Sequence, residues 1–243
     1  YFTTPYLTGG PGGEKDWRGE PTFPEAMLRE MLKKVYELGV PLNYHANGDA
    51  AIDMLFRAHE WAAADDPRKE RNVTVIHAQF SRKDQVAKYV EYSMTPSFYT
   101  LHTYYFADAH IAHRGPEQAA YISPIRDAID AGLHPTNHTD FVVAPLDQMF
   151  VLWSAVNRIS RSGDVIGEGQ RVGALEGLKA QTIWAAEQYG EAAEKGSLEP
   201  GKLADLVILD GNPLTVDPMA IKDLTVIETI KDGKTIYQAP ASR

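Results

Sequence analysis

Apolar and polar positions follow two periods along this chain, and the switches between them mark its elements. From Pro24-Glu25 to Glu37 the apolar residues Met27, Met31, Leu32 and Val35 recur at helical spacing, and Gly39 closes the stretch. Val40 to His45 then has the look of a short buried strand. Helical period returns from Ala50 to Ala64 on Ile52, Leu55, Phe56 and Trp61, and Asp65-Asp66-Pro67 breaks it. The same alternation continues as strand 73–77, helix 83–91, strand 93–98, helix 117–131 ended by Gly132, and strand 133–137. Helix and strand in strict succession predict parallel βα units with both sheet faces covered. Two further helices are expected over 145–159 and 175–189. Beyond the Gly-rich turn 196–201 the pattern changes to a β-run at 203–209 and a hairpin, 225–230 with 234–237, turned by Asp232-Gly233. The expected organisation is a body over residues 1–195 and a small β element over 196–243. A closed (β/α)8 barrel needs eight βα units and typically about 250 residues. Four are visible, so the body is an open α/β sheet or the second half of a barrel.

Composition narrows the chemistry. The 243 residues carry 24 Lys+Arg against 33 Asp+Glu, a net charge of −9, and lack clustered cations, which argues against a nucleic-acid partner. No apolar run approaches the roughly 18–20 residues of a membrane-spanning helix, so no membrane partner is expected. With no cysteine, a metal here must rest on His and carboxylates. The chain opens on Tyr1, not Met, and 1–24 reads as a Gly/Pro-rich loop whose preceding element lies elsewhere. A cytoplasmic location is the expectation.

Polar residues at three strand ends stand out. His45, His77 and Asp140 each lie at or just beyond the C-terminal end of a predicted strand, the edge where active-site groups converge in parallel βα architectures. Two imidazoles and a carboxylate from separate strands make a divalent metal site. His59 is expected on the solvent face of its helix, and His134 in a structural position. His102, His110 and His113 fall in the long stretch 99–115 with Tyr99, Tyr104, Tyr105 and Phe106. That stretch is either a substrate-facing loop or an Ω-loop packed on itself. His138, two residues before Asp140, belongs to the same edge. Tyr99, His102 and His138 are the candidates for substrate binding. Nucleophile-elbow, phosphate-loop and dinucleotide motifs are absent from the sequence.

The segments Asn43-Tyr44-His45-Ala46-Asn47-Gly48-Asp49-Ala50-Ala51-Ile52-Asp53, Val75-Ile76-His77-Ala78-Gln79 and Asn137-His138-Thr139-Asp140, with the run from Gly196 to Asp210, resemble the amidohydrolase superfamily. The branch is the YtcJ-like, amidohydrolase-3 group that includes N-substituted formamide deformylases. That resemblance implies a (β/α)8 barrel flanked by a β-sandwich, with one or two divalent ions, zinc in the usual case. It implies ligands from an early His-x-His pair, a carboxylated Lys on the fourth strand, His on the fifth and sixth, and Asp on the eighth. Carried over, His45 matches the fifth-strand ligand, His77 the sixth and Asp140 the eighth. The sequence departs from that pattern in having neither the His-x-His nor a strand-borne Lys before His45; Lys15 sits in the Gly-rich loop. The expected fold is therefore the C-terminal half of a (β/α)8 TIM-type barrel plus part of a β-sandwich. The expected function is metal-dependent hydrolysis of a C–N bond in a small amide or formamide, with Asp140 as the catalytic base and then acid. The alternative is a catalytically incompetent half-barrel that self-associates as a homo-oligomer through open sheet edges.

Overall fold

In the computed structural model, which describes residues 1–240, helix α1 (Glu25–Leu38) leads into β1 (Leu42–Ala46). The βα alternation continues through α2 (Asp49–Ala62), β2 (Val73–His77), α3 (Lys83–Glu91) and β3 (Met94–Phe98). Four short helices follow, α4 (His102–Tyr105), α5 (Ala107–Arg114), α6 (Pro116–Ala120) and α7 (Ile125–Asp130), before β4 (Thr136–Asn137). The four strands form one parallel sheet in the order β1-β2-β3-β4. This is the partial-barrel arrangement expected: an α/β sheet wound in sequence order, with β1 and β4 at its two edges.

Strand register sorts the side chains. Tyr44, Ala46, Val73, Val75, Met94 and Phe98 enter the main apolar core beneath the helices, packed against Leu28, Leu32, Ile52, Leu55, Phe56 and Tyr89. The paired set His45, Ile76, Ser97 and Thr136 lies on the other face, and Asn43 and His45 there are exposed. One face packed beneath helices and the other lined by His45, Ile76, Ser97 and Thr136 fits a barrel segment with its helices outside.

Helix α8 (Gln148–Asn157), α9 (Ala174–Gln181) and α10 (Ile183–Gln188) complete the body. Strands β5 (Leu206–Leu209), β6 (Val226–Lys231) and β7 (Lys234–Gln238) make a separate antiparallel sheet. The β6–β7 turn has φ +49° at Asp232 and +72° at Gly233, the two positive values that a tight two-residue hairpin needs. Between β5 and β6, Ile221 is buried against Leu152 and Trp153 of α8, and the Asn157 amide donates to the Pro218 carbonyl at 2.9 Å. Among the described residues no helix is long and apolar enough to cross a membrane.

Four expectations are corrected. The helix expected over 117–131 is two helices, because Ser123 adopts φ +48° with its N–H on the Gln79 carbonyl (2.7 Å), and Pro124 disfavours helix in the residue before it. The helix over 175–189 breaks at Thr182, whose hydroxyl donates back to the Leu178 carbonyl at 2.7 Å. The stretch 99–115 is largely helical, fastened at its start by Asn137, which accepts from the Thr100 N–H at 3.1 Å and donates to its hydroxyl at 2.8 Å. His59 is fully buried: α1 lies over that face of α2, and the imidazole is bonded to Tyr36 of α1 at 2.7 Å and the Pro67 carbonyl at 2.8 Å.

Candidate metal centre

At and just beyond the C-terminal ends of β1 to β4 the chain brings His45, His77, His102 and His138 together. His77 and Asp140 both sit in the left-handed backbone region, φ +69° and +51°, uncommon for residues other than glycine, and such strain gathers at functional sites. At His77 this ends the strand alternation that would leave its side chain on the helix-covered face with Ala46 and Phe98. Its ring instead packs edge-on to that of His45, centroids 4.6 Å apart, and lies 5.0 Å from His138 and 5.5 Å from His102.

One ligand-type atom from each of His77, His138 and Asp140 comes within 4.8 Å of the other two. His45 is outside that closest trio but adjoins it through His77. Tyr99 stands over His138 with rings nearly parallel, 5.6 Å and 19°, and meets His102 at 4.5 Å. The structure thus gathers all six residues singled out from the sequence, His45, His77, Tyr99, His102, His138 and Asp140, around one strand-end space. It also adds two polar groups that sequence reasoning did not assign. The Gln79 amide donates to His110 Nε2 at 2.6 Å, and the buried Asn47 Oδ1 is unpartnered among the described residues. Each follows a strand-terminal histidine by two positions, which is the signal that could have found them.

Burial favours the neutral form of His77, His102 and His138. Burial, aided by the neighbouring His138 and His45, pushes His77 down to about 4, against the pull of Asp140. Burial and the adjacent His77 hold His102 well below the ordinary imidazole value, and burial lowers His138, opposed by Asp140 and by the nearby Ser97 carbonyl. Burial and the Asp140 carboxylate raise the Tyr99 hydroxyl, which therefore stays protonated at neutral pH. Four buried polar atoms in this cluster, His77 Nδ1, Tyr99 OH, His102 Nδ1 and His138 Nε2, lack a hydrogen-bond partner among the described residues. Buried polar atoms are normally paired, so a concentration of unpaired ones marks a place built for something else. Neutral imidazoles beside a carboxylate are the donor set that a divalent cation takes. The residues present fit such an ion.

A model of the amidohydrolase family matches residues 1–237. The chain belongs to the amidohydrolase family. Among curated relatives, the N-substituted formamide deformylase of Arthrobacter pascens is 25% identical over 235 residues, 95% of this chain and 42% of that protein. Protein LONG AFTER FAR-RED 3 of Arabidopsis thaliana is 30% identical over 203 residues, 82% of this chain and 34% of that protein. The crystal structure of an uncharacterized metal-dependent hydrolase from Pyrococcus furiosus shares the fold, with a TM-score of 0.72 at 24% identity over 88% of this chain and 42% of that one. This amidohydrolase chain spans 34–42% of the length of the curated relatives it matches.

Proposed function

We propose that this amidohydrolase chain carries the metal-binding and proton-transferring edge of an enzyme that hydrolyses a C–N bond in a small, non-peptide amide of formamide type. The observation that carries the reading is the convergence of His77 and Asp140, both in strained backbone, at the C-terminal edge of a parallel sheet. A buried, unpartnered nitrogen on His77 and the His45 ring beside it complete the support. His45, His77 and Asp140 would hold the ion, with zinc the choice best suited to imidazole and carboxylate donors. When bound, such an ion lowers the pKa of water toward neutrality and polarises a carbonyl oxygen. Asp140 takes the proton of the attacking water as general base and returns it to the departing nitrogen as general acid. His77 is held neutral, so its lone pair is available as a ligand at neutral pH. The name of the Arthrobacter relative points the substrate toward N-substituted formamides.

The test pairs metal analysis with turnover of an N-substituted formamide by the holoenzyme. Asp140→Asn is expected to lower kcat by at least 10²-fold, the order of a lost general base. Unchanged turnover would remove Asp140 from the proton path.

A further inference from the structure

The backbone fixes the tautomer of His138. The N–H of Asp140 donates to His138 Nδ1 at 3.1 Å. A nitrogen that accepts carries no proton, and a neutral imidazole has one proton to place, so in this ring it sits on Nε2. Nε2 is buried and has no partner among the described residues. The Tyr99 ring lies nearly parallel to His138, and the Asp140 N–H fixes its rotation, so the Nε2–H direction is held from two sides. A metal ligand must present a lone pair. For Nε2 to do so, the proton would have to move to Nδ1, where it would face the very N–H that Nδ1 now accepts.

We propose that His138, although its ring stands among the converging groups, is not a metal ligand: its Nε2–H is a fixed hydrogen-bond donor to the carbonyl oxygen of the substrate. The role rests on the hydrolase reading above and names what that site recognises, an acyl oxygen presented within reach of His77 and Asp140. When water adds to the carbonyl carbon, a C–O bond forms and the C=O π pair moves onto that oxygen. The Nε2–H bond strengthens as this charge grows, which is the differential binding that accelerates a reaction. On collapse the C–N bond breaks, its electron pair leaves with nitrogen, and Asp140 supplies that nitrogen's proton. His138 keeps its own proton throughout.

The decisive measurement is the His138 tautomer in the full chain labelled with ¹⁵N-histidine, read by long-range proton–nitrogen correlation and assigned with His138→Gln and, should that variant fail to fold, His138→Asn. The expected spectrum has Nε2 protonated and Nδ1 bare, unchanged on adding Zn²⁺, while a His77 nitrogen shifts. Loss of the Nε2 proton on zinc addition would overturn the proposal. In parallel, His138→Gln should keep zinc affinity within about 100-fold of the starting protein, the range of an outer-shell change. In the holoenzyme His138→Ala should lower kcat by 10²–10³, the order of one lost oxyanion donor, with KM little changed and partial recovery in His138→Gln, whose amide also donates. An unaltered kcat in His138→Ala overturns the donor role. Absence of turnover in zinc-loaded wild type with the tautomer intact counts against the hydrolase reading instead.

Discussion

At His59 both ring nitrogens are committed: Nε2–H donates to the Pro67 carbonyl at 2.8 Å, and Nδ1 accepts from the Tyr36 hydroxyl at 2.7 Å. That arrangement suits only the neutral ring, and burial lowers its pKa below the ordinary value of about 6.5. The unfolded chain therefore binds a proton at a higher pH than the folded one. Stability contributed by His59 is complete above the unfolded value and is lost as pH falls below it. Urea unfolding between pH 7 and pH 5 (an interval spanning the ordinary histidine value of about 6.5) should show the midpoint falling with pH, and His59→Gln should flatten that slope. An unaltered slope in the variant would assign the effect elsewhere. From the sequence His59 looks like one more polar residue in an amphipathic helix, because periodicity does not show which neighbouring helix covers a face. Only the packing of α1 across α2 makes it a buried hydrogen-bonding hub.

Among the elements, the start of α2 is where the first family-like segment has its structural use. Gly48 lies against the N-terminal segment so closely that a Cβ there would stand 1.9 Å from the Tyr1 carbonyl oxygen. The next residue, Asp49, accepts from the Thr3 N–H at 2.9 Å and from Arg82 at 3.1 Å, while Arg82 also meets Asp53 at 2.9 Å. Gly48 and Asp49 thus dock the first residues onto the βα unit that carries His45, and Arg82 ties α2 to the start of α3. Gly48→Ala should cost about 1–3 kcal/mol as an overpacking change, seen as a lower denaturation midpoint with Asp49 no longer engaging Thr3. Arg82→Leu, whose guanidinium is partly exposed, should cost less, about 1 kcal/mol. The motif was legible in the sequence, but its partners were not. Asp49 pairs with residues 46 positions before it and 33 after it, separations that no local pattern encodes.

For the whole molecule, a cation held by the native strand-end cluster and not by the dispersed groups of the unfolded chain must stabilise the fold. At a free zinc concentration 100 times Kd the gain is about 2.7 kcal/mol, so thermal unfolding of the apo chain should move upward on zinc addition. His77→Ala should abolish the shift. A shift that survives the substitution would place the bound zinc elsewhere. The sheet itself shows why the site is assembled at this scale. Parallel pairing aligns strand ends, so His45, His77 and Asp140 arrive at one edge even though 63 residues separate His77 from Asp140 (140 − 77).

The sequence by itself determined the βα alternation, the change to an antiparallel β element near the end, the family, and the three strand-end residues. Each of these is local or periodic: strand and helix declare themselves by repeat, and a histidine ending a β-run is visible without knowing its neighbours. Tertiary structure alone decided which nitrogens face one another, that the Asp140 N–H meets His138 Nδ1, and that His59 is buried. It also decided where helices break, since the turn at Ser123 depends on the distant Gln79 carbonyl. The division follows from physics. Hydrophobic period is a property of consecutive residues, whereas a donor set and the neutrality of its imidazoles depend on burial and on partners that only the folded chain supplies.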